Sequence, residues 1–366
     1  MKTEGAEKVV VGITMGDVNG IGPELILKVF NDSKMLNLLT PVIFGSGKAL
    51  YYYKNLLKFE KFVYQNIQQP NQILPGRINF VECSPNFEKV EVGVPSPKAG
   101  YAAFQALEKA MYFLSEGKID VLVTLPINKA VIQNEKFRFP GHTEYLAEKA
   151  GVTDNLMLMI HENLRIGVVT GHIPIREIAQ ALSFEKILRK IRLLRDCLLI
   201  DFNINKPKIA VLGLNPHAGD NGLLGTEEKD FIEAAIAKAY EEGIFTLGPY
   251  PADSFFTSSY FQKFDGILAM YHDQGLIPFK TLTMGLGVNF TAGIPFVRTS
   301  PDHGTAYDIA GTNSADETSF RESIFCAIDI YKTRKTNQQL YANAMQPVAV
   351  SELLTGEDSI LNEEEI

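Results

Sequence analysis

A chain of 366 residues, 46% of them hydrophobic, is long enough to bury a large core and to divide into two domains. Its formal net charge of -8 provides no broad basic footprint, which argues against double-stranded nucleic acid as a partner and leaves a small anionic substrate open. Cys83, Cys197 and Cys326 form no CxxC pair, so neither a disulfide scaffold nor a thiolate zinc cluster is suggested, and a reducing cytoplasm fits best. The start, MKTEGAEKVVVGITMG, has an apolar run too short and too acidic in its flanks for a signal peptide, and no stretch approaches a membrane span.

In chain order, the continuously apolar run Val9 to Thr14 predicts a buried strand, and after the turn GDVNGIGP a helix runs from Glu24 to Phe30, with Pro23 suited to its first turn. PVIFGSG from Pro41 predicts a second strand leading into a helix from Lys48 to Leu57, and INFVEC from Ile78 a third. Ala102, Ala103, Ala106, Leu107, Ala110 and Leu114 fall at helical spacing between Pro95 and Gly117, and IDVLVTLPIN follows as a buried parallel strand. TEYLAEKAG then reads as a helix. LMLMIHENLRIGVVT reads as two antiparallel strands turning at His161-Glu162-Asn163. A long helix is expected from Ile175 to Leu199, with a solvated basic face of Arg176, Lys186, Arg189, Lys190, Arg192 and Arg195. KIAVLGL, a helix from Glu227 to Glu241 and FDGILAMYHDQG continue the alternation, and the acidic end GEDSILNEEEI reads as a frayed terminus. This is βαβ grammar with some antiparallel character, an α/β protein.

Three histidines sit where such a sheet delivers side chains to its functional edge: His172 in VVTGHIP, His217 in LGLNPHAGDNG and His272 in ILAMYHDQG. They are either unrelated polar residues in turns or three neutral imidazoles able to hold a catalytic metal with an open position. The loop with Gly16, Gly20 and Gly22 lacks both the G-x-G-x-x-G and the GK[ST] spacing, so a structural turn is favoured there over a dinucleotide site. Lys280, Asn289 and Arg298 are spread through a Gly-rich, poorly helical stretch, KTLTMGLGVNFTAGIPFVRTS, and form a candidate phosphate or carboxylate site, the alternative being surface charge beside a hairpin. Upstream, Gly141-His142-Thr143-Glu144 opens a helix. Thr143 is there either its N-cap or, with His142 and the free amides, part of an anion site.

With TMGDVNGIGPE, PINK, GHTEYLA, TGHIP, LNPHAGDNG, YHDQGLIPFK and PDHGTAYDIAG in this order, the chain closely resembles the 4-hydroxythreonine-4-phosphate dehydrogenase family of pyridoxal phosphate biosynthesis. The resemblance implies two α/β/α domains with a central cleft, an isocitrate/isopropylmalate dehydrogenase-like fold. Residues 1–125 with 301–366 would form the first domain, and 126–300 the second, which carries the metal histidines and dimer contacts. It further implies a homodimer in which a divalent metal, zinc, magnesium or cobalt, is held by histidines shared between subunits; these fall on His172, His217 and His272. Family substrate contacts fall on His142, Thr143, Lys280, Asn289 and Arg298, and an acidic position near the substrate on Asp253. The NAD or NADP site is expected between Gly285 and Asn313.

The reaction so implied is oxidation of 4-phosphohydroxy-L-threonine at C3, followed by decarboxylation to 3-amino-2-oxopropyl phosphate, with Asp253, a metal-bound water or Lys280 as candidate proton acceptor. Neither nucleic acid nor membrane is expected as a partner. One alternative is a related dehydrogenase acting on a four-carbon sugar acid phosphate or a cis-dihydrodiol. Others are a zinc hydrolase, although HExxH is absent, and a non-catalytic metal-binding or phosphosugar-sensing protein.

Overall fold

The computed structural model of the chain describes residues 8–342, so the acidic end GEDSILNEEEI lies outside the described residues. Twelve strands form one sheet among them: β1 (Val9–Thr14), β2 (Leu39–Gly45), β3 (Gln65–Ile67), β4 (Asn79–Glu82), β5 (Val121–Thr124), β6 (Leu156–His161), β7 (Leu164–Thr170), β8 (Ile209–Leu212), β9 (Thr246–Tyr250), β10 (Gly266–Tyr271), β11 (Val288–Ala292) and β12 (Val297–Pro301). Their order across the sheet is β3-β4-β2-β1-β5-β12-β11-β6-β7-β10-β8-β9. The apolar runs of β1, β2, β5 and β8 are buried almost throughout, as strands covered on both faces must be.

Two parallel blocks, β3 to β12 and β7 to β9 in that order, are joined through three antiparallel pairings: β12 with β11, β11 with β6, and β6 with β7. Three reversals make the blocks run in opposite directions. Strand ends from both blocks therefore reach the central strands from opposite sides. The expected tip at His161-Glu162-Asn163 is the hairpin between β6 and β7, where Glu162 takes φ 49°. β12 pairs with β5 of one block and with β11 of the junction, straddling the boundary expected at residue 300.

Alternation in the central strands decides where the site lies. In β11, Asn289 and Thr291 face one side; their register partners Ser300 on β12 and Met157 on β6 stand opposite Asn289 and Thr291 respectively, and Arg298 lies two residues from Ser300 on the same face. The other face presents Phe290 and Thr299 to the helix Thr318–Ala342, whose Ser323 carbonyl accepts a hydrogen bond of 2.8 Å from Thr299 Oγ1. Period-two sequence thus gives one polar and one packed face.

Some helices differ from expectation. The long helix from Ile175 to Leu199 is broken: a single turn at Ile175–Glu177 leads into Ile178–Ala181, and the main helix is Phe184–Ile200. Ser183 causes the restart, its extended backbone placing Oγ 3.2 Å from the amide of Lys186 as an N-cap. The basic face is spent on ion pairs, Arg189 and Lys190 with Asp154 and Arg192 with Glu242. The stretch from Lys280 is helical at its start, since His272–Thr283 is one helix despite Pro278. Thr143 is not the N-cap of the helix His142–Lys149; Gly141 occupies that position, which leaves the Thr143 side chain in the first turn.

Candidate active site

A cavity of about 490 Å³ opens over the polar face of the central strands. Its wall takes Thr124 from the end of β5, Lys129 from the following loop, His142, Thr143 and Glu144 from a helix start, and His172 from just beyond β7. His272, Asp273 and Lys280 come from the helix that follows β10, Asn289 from β11, Arg298 and Ser300 from β12, and Asp302, His303 and Gly304 from the next loop. Every expected substrate residue, His142, Thr143, Lys280, Asn289 and Arg298, lines this one cavity together with His172 and His272.

Arg298 is the anchor. It is 2% exposed, and Nε and Nη2 donate to Thr124 Oγ1 at 3.1 and 2.6 Å while Nη1 donates to Thr291 Oγ1 at 3.1 Å. Burial lowers its pKa to about 10, so the guanidinium remains charged at neutral pH among neutral hydroxyls, ready for an anion. Burial also pushes His142 well below the ordinary histidine range, and the charges of Arg298 and Lys129 push it further, so it enters the site as neutral imidazole. Lys280 Nζ is 3.0 Å from the carboxylate and 3.0 Å from the carbonyl of Asp302. Burial raises the Asp302 carboxyl, opposed by that lysine, and lowers His303.

Four buried polar atoms of the wall, Glu144 Oε2, Asn289 Oδ1, Asp302 Oδ2 and His303 Nε2, have no hydrogen-bond partner. Native interiors pair such atoms, so their gathering in one cavity marks a surface built to meet a bound molecule.

The rings of His172 and His272 are neighbours, with centroids 5.3 Å apart and planes tilted by 45°. Each Nδ1 lies beside a carboxylate, Glu144 at 3.6 Å and Asp273 at 2.7 Å, the outer arrangement that orients imidazoles for ligation through Nε2. Burial raises the Glu144 carboxyl, but neighbouring His172 and the charge of Lys129 outweigh it and leave the group below its usual range. His217 does not join this pair. It is exposed in a turn where His217, Ala218, Gly219, Asp220 and Asn221 all have left-handed φ between 41° and 80°. Glu228, 2% exposed, braces that turn by accepting from the amides of Leu214 and Asn215 at 2.7 and 2.8 Å and from Asn215 Nδ2 at 2.9 Å. Asp253 is exposed on the short helix Ala252–Phe255, which packs against the same turn. Among the described residues of one chain, no three His, Cys, Asp or Glu side chains group closely enough to hold a metal. Of the three histidines expected to hold a metal, the cavity brings together His172 and His272.

Sequence reasoning passed over Lys129, Glu144, Asp273, Asp302 and His303, although each lies in a motif already singled out and four of them adjoin a chosen residue or one another. The Gly16 to Gly22 loop is a structural knot: the Asp17 amide donates to Pro126 O at 2.9 Å, the Ile21 amide to Thr305 O at 3.0 Å, and Tyr307 Oη to Asp17 Oδ2 at 2.6 Å.

Fold and site together define an α/β protein whose one polar cavity over the central strands is lined by a buried arginine and two neighbouring histidines. A family model described as pyridoxal phosphate biosynthetic protein PdxA matches residues 37–327, and the chain belongs to that family. It is 49% identical over 340 residues to a 4-hydroxythreonine-4-phosphate dehydrogenase of Bacteroides thetaiotaomicron, covering 93% of each. It is 38% identical to an Oceanobacillus iheyensis relative named for D-threonate 4-phosphate, covering 90% of this chain and 100% of that one. The crystal structure of the Klebsiella pneumoniae 4-hydroxythreonine-4-phosphate dehydrogenase superposes with TM-score 0.76 at 35% identity, over 90% of this chain and 99% of the other. The chain is accordingly an oxidoreductase, which removes the hydrolase and the non-catalytic alternatives. No helix among the described residues is long and apolar enough to cross a membrane.

Proposed function

We propose that the chain is a cytoplasmic 4-hydroxythreonine-4-phosphate dehydrogenase, oxidising C3 of 4-phosphohydroxy-L-threonine and releasing CO2 to leave 3-amino-2-oxopropyl phosphate for pyridoxal 5'-phosphate synthesis. The observation that carries this reading is the single cavity that gathers buried Arg298 with His142, Thr143, Lys280 and Asn289. When bound, a divalent cation (zinc, magnesium or cobalt) on His172, His272 and His217 would supply Lewis acidity at the substrate hydroxyl, and NAD or NADP would supply the hydride acceptor.

The chain's own residues do the rest. Arg298 and Lys280 take the anionic ends of the substrate, and Thr143 and neutral His142 donate to it without adding charge. Asn289 Oδ1, free on the wall, accepts from the substrate amine or hydroxyl. The loop 302–304, with His303 Nε2 unpartnered, is the part of the expected Gly285 to Asn313 region that borders the reacting centre. Lys280 is committed to Asp302, which favours an anchoring role over that of proton acceptor. Asp253 lies outside this cavity but beside the His217 turn. Both would reach the cavity of a second copy in a homodimer whose sites each draw on two chains.

The test is NADH or NADPH formation with 4-phosphohydroxy-L-threonine, before and after chelation and with each divalent metal restored. Turnover that survives full chelation would overturn the metal assignment; none with any metal would overturn the substrate. A second substrate, D-threonate 4-phosphate, is kept because one relative is named for it. A neutral cis-dihydrodiol is disfavoured by the buried cation of Arg298.

A further inference from the structure

Outside the residues placed on the substrate or the metal, one cation stands on the cavity wall, Lys129. Lys129 Nζ lies 2.9 Å from His172 Nε2, while Glu144 faces Nδ1 of the same ring at 3.6 Å. The Nε2 of His172 is therefore engaged within the chain. While it accepts from the Lys129 ammonium its lone pair is not open to a metal, and Glu144 stands in ion-pair range of Nδ1 without bonding to it. His272 differs, since Asp273 holds its Nδ1 and among the described residues no side chain is bonded to its Nε2.

The other cations of the cavity are anchored. Lys280 is paired with Asp302, and Arg298 is held by two threonines. Lys129 has a neutral partner, and among the described residues no carboxylate lies within ion-pair distance of its Nζ; Glu144 acts on it from further off. Its backbone is fixed, since Asn128 Oδ1 accepts from the amides of Ala130 and Val131 at 2.9 and 3.3 Å, and Gln133 Nε2 donates to the Lys129 carbonyl at 3.0 Å. The four-carbon stem above that fixed point is free to swing.

We infer that Lys129 is a resident cation on His172 that a divalent metal must displace, and that the displaced ammonium then turns into the cavity as an additional contact for the anionic substrate. This rests on the reading of His172 as a metal ligand. It makes the two binding events interdependent: the metal releases a cation for the anion, and by linkage the anion strengthens the metal. Charge also favours the exchange, because an ammonium beside a dication is repelled and an anion in the same cavity receives it.

The test is calorimetric titration of the full-length protein with zinc alone, and with inorganic phosphate in the presence and absence of zinc, for wild type and for Lys129→Met, Lys129→Arg and His172→Ala. Lys129→Met keeps the length and removes the charge, so it is expected to bind zinc about tenfold more tightly than wild type, in the range that outer contacts change metal affinity. Lys129→Arg, which keeps a cation there, stays near wild type. Zinc is expected to strengthen phosphate binding more in wild type than in Lys129→Met. If Lys129→Met binds zinc no more tightly than wild type while His172→Ala loses it, the displacement is wrong and the metal ligand stands. If His172→Ala binds zinc as wild type does, the ligand assignment falls and the inference falls with it.

Discussion

The division of the site residues into two groups makes a subunit-mixing experiment decisive. His172 and His272 share one cavity with ring centroids 5.3 Å apart, whereas His217 belongs to an exposed turn outside it. If each active site joins one chain's cavity to its partner's His217 turn, a heterodimer of His172→Ala and His217→Ala chains contains one site with both defects and one with none. Equal amounts reassorting at random give half heterodimers, each with one intact site of two, so about a quarter of wild-type activity should return from two inactive parents. His172→Ala mixed with His272→Ala should return nothing, because each cavity keeps one defect. The assay is metal-dependent NADH formation after denaturation and joint refolding, with heterodimers counted by two different affinity tags. Recovery from the 172/272 mixture, or none from the 172/217 mixture with heterodimers present, would refute the arrangement.

Arg298→Lys should lower kcat/KM at least about tenfold, chiefly through KM, because the lysine loses the fork and cannot reach Thr124, Thr291 and the substrate anion together; charge-assisted bonds are worth about 1.5–3 kcal/mol each. Steady-state kinetics check this, and an unchanged KM would contradict it. Glu228→Gln should destabilise the His217 turn by about 1–3 kcal/mol, since its one oxygen can still accept from the Leu214 and Asn215 amides but its NH2 then meets Asn215 Nδ2, donor against donor; thermal unfolding and zinc affinity should fall together, and a fall in stability alone would limit Glu228 to packing. Unfolded, His142 and His303 take up protons near pH 6.5, whereas burial keeps them neutral in the folded chain to lower pH, so added protons favour unfolding. Stability should therefore hold above about pH 7 and decline as pH falls below about 6.5, by up to about 1.4 kcal/mol per pH unit for each histidine. The raised carboxyls of Asp17 and Asp302 act in the opposite sense as acidification continues. Denaturant unfolding between neutral and mildly acidic pH, with His142→Asn as control, measures it; equal slopes in the two proteins would exclude His142 as a source.

Strand positions were legible because they rest on local composition: β1, β5 and β10 are apolar runs, and the end of β10 adjoins His272. Alternation in VNFTA and VRTSP carried the polar face of β11 and β12, though the stretch was read as one loose region because its glycines hid the helix before it. The break at Ser183 was missed because an N-cap inside a continuous helical periodicity leaves the apolar pattern intact, and only the local bond to Lys186 reveals it. The partition of the histidines was beyond reach of any local signal. All three follow strands of the one parallel block, and the partition depends on which strands are neighbours there and on the chain beyond them: His172 and His272 leave the paired strands β7 and β10, whereas His217 is carried off in the left-handed turn after β8. Asp302 and His303 were passed over for a related reason, since a residue in an irregular loop advertises neither burial nor an unmet bonding atom until the loop is seen against a neighbouring helix.

Those unmet atoms bear on the choice of substrate. Of the four on the cavity wall, Glu144 Oε2, Asn289 Oδ1 and Asp302 Oδ2 are acceptors, and two of the three belong to acidic side chains. Arg298 and Lys280 account for the substrate's negative ends, so the acceptors call for a donor-rich, positively charged group between them. The amine of 4-phosphohydroxy-L-threonine supplies three donors and a charge; the hydroxyl at that position of a threonate phosphate supplies one donor and none. A charge-assisted bond to a buried acceptor is worth about 1.5–3 kcal/mol, so one such bond present in one substrate and absent in the other predicts a preference in kcat/KM of about 10- to 100-fold for the amine. The comparison requires both substrates with the same metal and nucleotide, in wild type and in Glu144→Gln, where the preference should shrink because the carboxylate's charge is gone. Equal specificity constants in the wild type, or a preference for the sugar acid, would mean that these acceptors meet water or the nucleotide instead, and the substrate assignment would pass to the four-carbon sugar acid phosphate.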